Sequence, residues 1–282
     1  MTCRAAAGDR TSGPLQVPAG WRLIALGAVD STQTEALRAL DVRANLDLWP
    51  TGVLVIQAAE QLGGRGRHGR TWASPPGNLY MTAAIPCPDG PRHGPEVGFV
   101  AGVAAARALG DAGVRGARLK WPNDVLVEGA KVAGLLPESV TDSLGRWWIL
   151  LGLGINVAHA PPAGETLYPA VALADRPGGG PAPTVPALLS ALLGRLCEGL
   201  ALWRSDGFPP IRAAWLSHGH GVGEPVRVRL GAETITGVFQ GLAPDGALHL
   251  RESESGRERV VLAGDVFFPG TAGDAGARGE EV

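Results

Sequence analysis

The sequence predicts an α+β protein: a mixed sheet with flanking helices, followed by a small C-terminal β-barrel. Up to about residue 220, short apolar runs typical of strands alternate with helical patterns. From Glu224 onwards, short segments of period two are separated by turn residues. The 282 residues, 45% of them hydrophobic, suffice for one large and one small domain. We expect a disordered tail at 1–20, a main domain at 21–220, the barrel at 221–268 and a second disordered tail at 269–282.

The first half of the main domain contains three predicted strands and two predicted helices. The strands lie at 21–26, 53–56 and 77–85, and Pro86 ends the last of them. One helix follows Asp30, and an alanine-rich helix spans 96–112. Thr32 and Glu35 have the spacing of a capping box at the start of the first helix, which is the ordinary structural role for Thr32.

The second half begins with an extended segment at 118–127 that has a polar centre. Strands follow at 131–136 and 147–157, joined by a turn at 142–145. A Gly/Pro-rich linker at 161–186 then precedes helices at 187–203 and 211–216. We predict that strands at 226–230, 234–239, 247–251 and 259–262 close the small barrel.

A basic, glycine-rich loop at 61–72 is the most distinctive stretch, and we refer to it as the basic loop. It reads Gln-Leu-Gly-Gly-Arg-Gly-Arg-His-Gly-Arg-Thr-Trp. Glycine maximises backbone freedom and the arginines repel one another, so this pattern favours an anionic ligand such as a phosphate. A buried strand precedes the loop and should display it from a rigid element. A solvated loop and a nucleic-acid contact are the alternatives.

Several common classes of protein are disfavoured. Gly64, Gly66 and Gly69 match G-x-G-x-x-G, but Pro75 and Pro76 prevent the helix that a dinucleotide fingerprint requires. The loop does not end in the G-K-[ST] of a Walker motif. A net charge of -2 argues against a protein that coats nucleic acid or an anionic membrane. With no signal-peptide pattern and no apolar run near roughly 18 residues, we expect a cytoplasmic protein.

Three further stretches contain polar or small residues that an ordinary helix or strand would not require. Residues 30–33 (Asp-Ser-Thr-Gln) precede a helix, whose N-terminus can hold a polar ligand group. In residues 120–124 (Lys-Trp-Pro-Asn-Asp), Asn123 and Asp124 fit turn residues, and Lys131 fits an exposed strand residue. The apolar run of the strand at 147–157 is interrupted by Gly152, Gly154 and Asn156. Glycines inside a strand indicate that another group, such as a ligand, approaches the backbone closely.

Taken in this order, the stretches resemble the biotin protein ligase family over about residues 20 to 266. The basic loop and residues 120–124 are the most specific elements. The resemblance implies a class II synthetase-like catalytic domain, an SH3-like C-terminal barrel and the monofunctional type without a DNA-binding domain. It also implies formation of biotinyl-AMP from biotin and ATP with Mg²⁺ and release of pyrophosphate. Biotin then passes to a lysine of a biotin carboxyl carrier protein domain, as in acetyl-CoA carboxylase.

The resemblance also assigns site residues. A carboxylate that attacks an α-phosphate brings two anions together, so the site must neutralise charge and align the reactants. The implied catalytic residues are Lys131, Arg67 and Asp124. The implied biotin-binding residues are Ser31, Thr32, Gln33, Gln61, Arg65, Gly66, Arg67 and Lys131. The implied nucleotide-binding residues are Arg70, Trp72, Asn123, Asp124, Gly152, Gly154 and Asn156.

Three positions depart from the family pattern. Gln33 stands where many relatives carry Asn. Pro137 should end the strand that begins at Lys131 early, because proline donates no ladder hydrogen bond. Residues 267–270 (Phe-Phe-Pro-Gly) follow Gly264-Asp265-Val266, where relatives commonly carry an arginine.

Two other functions stay open: a lipoate or octanoate ligase of the related fold, and a biotin-binding sensor without transfer activity. A nucleic-acid module is the least favoured. Cys3, Cys87 and Cys197 are far apart and lack metal-ligand spacing, so we expect no fixed metal site. The expected partner is a biotin carboxyl carrier protein, with no nucleic acid or membrane, and the expected state is a monomer or weak homodimer.

Overall fold

The computed structural model describes residues 15–44, 52–176 and 180–269. They form a seven-stranded mixed sheet with helices on both faces and a five-stranded antiparallel sheet, which confirms the α+β class. Most of the two tails predicted to be disordered, residues 1–14 and 270–282, lies outside the described residues. Residues 15–20 of the first predicted tail are ordered against the main domain, where the Gln16 amide donates to Ser190 Oγ at 2.9 Å.

The large sheet has the strand order β1-β2-β3-β7-β6-β5-β4. Strands β1 and β2 are parallel, and each other neighbouring pair is antiparallel. The strands are β1 Arg22–Val29, β2 Leu54–Gln61, β3 Leu79–Pro86, β4 Arg118–Lys120, β5 Asp124–Val127, β6 Ala130–Thr141 and β7 Trp147–Ile155. The helices are α1 Thr32–Ala44, α2 Gly94–Asp111, α3 Val185–Asp206 and α4 Phe208–His218.

Side-chain alternation along β7 separates the two faces of the large sheet. Ile149 and Leu151 point into the main core with α2 and α3, whereas Trp148 and Leu150 pack against α1. Because successive side chains alternate, the face that meets α1 continues beyond the helix with glycines and an asparagine. This change from large to small residues opens space over Gly152, Gly154 and Asn156.

The C-terminal sheet has the order β11-β10-β9-β8-β12, with every pair antiparallel. Its strands are β8 Pro225–Leu230, β9 Glu233–Leu242, β10 Leu248–Glu252, β11 Glu258–Val261 and β12 Asp265–Phe267. Four of them match the predicted strands, while β12 has only three residues and is too short to show a period of two. Closure of this sheet into a barrel stays a prediction.

Several predicted elements differ from the observed ones. Residues 118–127 fold back as a hairpin with a cis Trp121–Pro122 bond, with Lys120 opposite Asp124. Strand β6 does not end at Pro137 but continues to Thr141. Pairing of β6 with β5 stops at Gly134, and beyond that point β6 pairs with β7 alone. Pro137 lies in this part of the strand, so its missing N–H does not interrupt pairing with β5. Part of the predicted linker is also ordered, since Lys131 pairs with Ala170.

Helix α3 is long and apolar enough to cross a membrane by length and composition alone. Its buried leucines instead belong to the main core and pack with α2. A core helix of a soluble protein passes the same composition test, so α3 is consistent with a soluble protein.

The turn between β6 and β7 depends on the buried carboxylate of Asp142. It accepts hydrogen bonds from the backbone of Leu144 and Arg146, from Arg146 Nε and from Trp148 Nε1. Burial alone would raise the pKa of Asp142, but the bonds from Trp148 and Arg146 outweigh it and lower that pKa. Asp142 therefore stabilises the fold in its ionised form.

We predict that Asp142→Asn lowers the free energy of unfolding at pH 7 by about 1–3 kcal/mol, because an amide cannot accept all four bonds. A lowered folded pKa means that the contribution is present above the unfolded pKa of about 3.9 and is lost as the pH falls below it. Urea unfolding at pH 7 and at lower pH measures both effects. Asp245→Asn, at an exposed turn, is the control, and a stability gap that widens in acid would contradict the prediction.

Candidate active site

A cavity of about 710 Å³ opens on the α1 face of the large sheet. It lies between the basic loop, strands β6 and β7, residues 161–170 and the start of β12. The structure brings every sequence-predicted site residue to its wall. These residues are Ser31, Thr32, Gln33, Gln61, Arg65, Gly66, Arg67, Arg70, Trp72, Asn123, Asp124, Lys131, Gly152, Gly154 and Asn156.

One end of the cavity is polar and uncharged. The Thr32 backbone amide and hydroxyl both donate to Gln61 Oε1, at 2.9 and 3.0 Å. Thr82 donates to the Thr32 hydroxyl at 2.8 Å, and Gln61 Nε2 donates to Ser74 Oγ at 3.0 Å. Because β1 and β2 are parallel neighbours, the helix start after β1 and the end of β2 meet at this edge.

The predicted capping box is wrong. Helix α1 begins at Thr32, so that residue lies inside the first turn and its hydroxyl joins Gln61 and Thr82. Ser31 Oγ accepts the Gln33 amide at 3.3 Å, which is the bond that a capping residue makes. Glu35 instead pairs with Arg38 at 2.5 Å.

The strand glycines make room for side chains of the protein itself. A Cβ added at Gly154 would lie 2.6 Å from Trp72 Nε1, and one at Gly134 would lie 2.9 Å from the same indole. A Cβ at Gly152 would lie 3.0 Å from the amide carbon of Gln33. The close approach that the glycines predicted is therefore made by Trp72 and Gln33, which form part of the cavity floor.

Two buried donors in the cavity wall have no hydrogen-bond partner within the described ranges. They are Trp72 Nε1 and Asn156 Nδ2. A buried donor without an acceptor costs free energy, so a bound molecule with acceptor atoms would be stabilised here.

The opposite end of the cavity is organised by Asp124. Its carboxylate lies 2.5 Å from Lys131 Nζ and 3.2 Å from Lys120 Nζ. Burial alone would raise the pKa of Asp124, but Lys131 and Lys120 outweigh it and lower the pKa to about 2. Burial lowers the pKa of Lys120 to about 8, and Asp124 opposes that change. Asp124 is thus an anion that holds two ammonium groups.

The basic loop is folded back on itself. Arg65 bridges to Thr71, the Trp72 amide donates to Gly64 O at 2.9 Å, and a 3₁₀ turn spans Arg67–Gly69. Gly69 closes that turn with φ of 72°, a conformation that glycine adopts without strain. Although its glycines allow many backbone conformations, these backbone bonds give the loop a hairpin-like form.

The start of β12 connects to the basic loop. Arg70 donates to both oxygens of Asp265, at 2.5 and 3.3 Å, and Arg67 donates to Gly264 O at 3.3 Å. Arg67 also donates to Asn123 Oδ1 at 3.4 Å. Burial alone would raise the pKa of Asp265, but Arg70 foremost lowers it. The turn that precedes the expected family arginine thus supplies an acid, Asp265, that binds the basic loop.

Sequence reasoning missed Lys120, Tyr168 and Asp265 as site residues. Lys120 lies in the 120–124 stretch, and its spacing from Asp124 was the available signal. Its ammonium lies 3.4 Å above the Tyr168 ring, and Tyr168 stacks on Phe267 with 5.3 Å between ring centroids. Tyr168 carried no usable signal, because residues 161–170 have a linker-like composition.

We predict that Asp265→Asn exposes the basic loop to trypsin, which cleaves after arginine. Losing the ion pair with Arg70 should speed cleavage between residues 65 and 71 about fivefold. The expected increase is modest because the pair is partly exposed, and exposed ion pairs contribute little free energy. Gel electrophoresis with mass spectrometry locates and times the cuts. Glu233→Gln, which weakens the pair with Arg259 in the same sheet, is the matched control. Equal cleavage rates in all three proteins would rule out the role assigned to Asp265.

Comparison with known proteins agrees with this architecture. The model of the biotin/lipoate A/B protein ligase family matches residues 26–156, and that of the biotin protein ligase C terminal domain matches residues 221–268. The biotin–[acetyl-CoA-carboxylase] ligase of Paracoccus denitrificans is 38% identical, covering 87% of this chain and all of the relative. That of Mycobacterium tuberculosis is 33% identical, covering 88% and 89%.

A solved structure agrees as well. The biotin protein ligase from Aquifex aeolicus in complex with biotin and ATP has a TM-score of 0.70 and 29% identity, covering 87% of this chain and 97% of its own. The chain therefore belongs to the biotin protein ligases within the biotin/lipoate A/B protein ligase family.

Proposed function

We propose that this protein is an ATP-dependent biotin protein ligase. It forms biotinyl-5′-AMP from biotin and ATP, releases pyrophosphate and transfers biotin to a lysine of a biotin carboxyl carrier protein domain. The observation that best supports this proposal is that one cavity has two chemically different ends. One end is polar and uncharged, with Thr32, Gln33 and Gln61, and the other is cationic, with Arg67 and Lys131. A neutral ring fits the first end, and a carboxylate beside a phosphate fits the second.

The cationic end suits the first half-reaction. The biotin carboxylate attacks the α-phosphorus of ATP, an O–P bond forms, and the bond to the leaving pyrophosphate breaks. Both reactants are anions, so fixed cations stabilise the transition state. We assign Lys131 and Arg67 to this role, with Arg65 and Gly66 near the biotin carboxylate.

Asp124 is proposed to act with Lys131. Its carboxylate holds Lys131 at 2.5 Å, so the ammonium has one position before any ligand enters. The second lysine, Lys120, is buried and holds the other carboxylate oxygen at 3.2 Å. Asp124 therefore has little freedom to rotate, and positioning of this kind contributes to the rate because little reorganisation is needed during the reaction.

The uncharged end is proposed to hold the ureido ring of biotin, which has two N–H donors and a carbonyl acceptor. Ser31, Thr32, Gln33 and Gln61 supply hydroxyl and amide groups there. The nucleotide is assigned to Arg70, Trp72, Asn123, Asp124, Gly152, Gly154 and Asn156. Within that set, the unpaired donors of Trp72 and Asn156 suit the acceptor atoms of a base or ribose.

In the second half-reaction, the amine of the carrier lysine attacks the acyl carbon of biotinyl-AMP. A C–N bond forms, AMP leaves with the C–O bond electrons, and the amine loses a proton. The basic loop covers the reacting end and limits hydrolysis of the mixed anhydride by excluding water.

The residues fit poorly as a fixed magnesium site. The carboxylates in the cavity wall are Asp124, Asp265 and Glu165, and the first two are held in ion pairs. Among the residues described, no group of three His, Cys, Asp or Glu side chains could hold a metal. We therefore propose that Mg²⁺ enters with the phosphates of ATP, and no step here depends on a protein-bound ion.

The remaining assignments follow from this function. The acceptor is the carrier domain of an acyl-CoA carboxylase, with neither nucleic acid nor membrane as a partner. We propose a cytoplasmic monomer or weak homodimer. Residues 21–220 are assigned to catalysis and residues 221–268 to the C-terminal domain, and the match of the C-terminal family model to residues 221–268 supports the second assignment.

ATP–pyrophosphate exchange tests the first half-reaction. Purified protein with MgATP should exchange labelled pyrophosphate when biotin is the carboxylate, and lipoate or octanoate should give much less exchange. Exchange with lipoate or octanoate alone would assign the site to the sister activity. Biotin binding without exchange would instead indicate a sensor.

We predict that Lys131→Ala and Arg67→Ala each slow biotin-dependent exchange by about 100-fold or more, because each removes a fixed cation from the transition state. Arg115→Ala, at an exposed position after α2, should keep the wild-type rate. Circular dichroism checks that each variant is folded. Near-normal rates in both folded site variants would disprove the catalytic assignment.

A further inference from the structure

Glu138 has no role in the assignments above, yet its carboxylate contacts a residue of the cavity wall. Strand β6 alternates, so Leu136 and Glu138 share the α1 face, while Pro137 faces α2 and lies 3.3 Å from a Cβ added at Gly98. Glu138 Oε2 accepts a hydrogen bond from Gln33 Nε2 at 3.0 Å. Glu138 thereby reaches the cavity through Gln33.

This contact fixes which way the Gln33 amide points. Its Nε2 also donates to Leu136 O at 3.1 Å, so both neighbours of the nitrogen are acceptors. The amide has two N–H donors, and each is used by one of these acceptors. Turning the amide over would place its oxygen against two other oxygens, so the orientation is determined by the partners.

The Gln33 oxygen is consequently left to the cavity. A Cβ added at Gly152 would lie 3.2 Å from Oε1, which places this oxygen above β7 in the cavity floor. Gln33 is only 5% exposed, and among the described residues nothing donates a hydrogen bond to Oε1. A carbonyl oxygen that faces the cavity without a donor favours a ligand that brings an N–H group.

The neighbouring amide has the opposite polarity. Gln61 Oε1 accepts both bonds from Thr32, and Gln61 Nε2 donates to Ser74 with one N–H left over. The polar end therefore presents a remaining donor at Gln61 and an acceptor at Gln33. This pair of free groups complements a cyclic urea, which carries a carbonyl and N–H groups on one ring.

We propose that Glu138 is a positioning residue that makes Gln33 a fixed acceptor, and that this acceptor selects acids whose ring carries an N–H donor. The inference rests on the proposed biotin ligase function. An acid with an alkyl chain or a dithiolane ring would leave Oε1 buried and unpaired, so such an acid is disfavoured. Without Glu138, the Gln33 amide loses one of its two anchoring bonds, turns more freely and discriminates less.

The test compares Glu138→Leu, Glu138→Gln and a matched control, Ser139→Ala, in ATP–pyrophosphate exchange. Ser139 is the next residue of β6, and its hydroxyl donates to Pro91 O, away from Gln33. Glu138→Leu should raise the KM for biotin about tenfold and keep kcat within about twofold. Glu138→Gln should restore most of the affinity, because its carbonyl can accept the same bond. Ser139→Ala should behave as wild type.

Octanoate, which lacks an N–H group, separates positioning from general damage. Its inhibition constant against biotin should stay unchanged in Glu138→Leu. An unchanged KM for biotin in that variant, or an equal loss of biotin and octanoate affinity, would overturn the inference. If Glu138→Leu does not fold, Gln33→Met, of similar length and without an amide, must show the same biotin-specific loss.

Failure of the two proposals can be told apart. Wild-type protein without biotin-dependent exchange would refute the ligase function, and calorimetric titration of biotin alone would then decide whether Glu138 affects binding. Wild-type exchange together with an unchanged KM for biotin in Glu138→Leu would refute this inference alone.

Discussion

The carboxylate of Asp124 is the interaction on which the reactive end of the cavity depends. It is buried, ionised and shared between Lys131 and Lys120, so two lysines are held close together in the cavity wall. Two ammonium groups without a carboxylate between them would repel each other, and burial lowers the pKa of Lys120. One anion thus orients Lys131 where two anionic reactants must meet.

The need to hold cations in place also links the C-terminal sheet to the large sheet. Asp265 holds Arg70, the Gly264 carbonyl accepts from Arg67, and Phe267 stacks on Tyr168, which lies beneath Lys120. The second sheet therefore contacts both the basic loop and the lysine cluster. Its contribution in this chain is to position cations of the main domain, Arg70 and Arg67.

The other end of the cavity recognises its ligand through hydrogen-bond polarity, without net charge at its amides. The acceptors around Gln33 and the donors around Gln61 set which atom each amide turns towards the cavity. Gly152 allows the Gln33 amide to lie close to β7, since an added Cβ would lie only 3.0 Å from its amide carbon. The sequence predicts that this glycine contacts a ligand directly. In the structure it instead makes room for Gln33, and Gln33 faces the cavity.

The sequence by itself determined the α+β class and most elements, because strand and helix periodicity are local signals. Its motifs also held most residues that line the cavity, although Lys120 and Asp265 were missed. The tertiary structure decided the pairings across long separations, such as Arg70 with Asp265 and Gln33 with Glu138, for which no local pattern exists. It also overruled local rules at Pro137, where β7 completes the pairing, and at Thr32, whose hydroxyl bonds Gln61. Contacts of this kind arise from how elements pack, and spacing along the chain does not encode them.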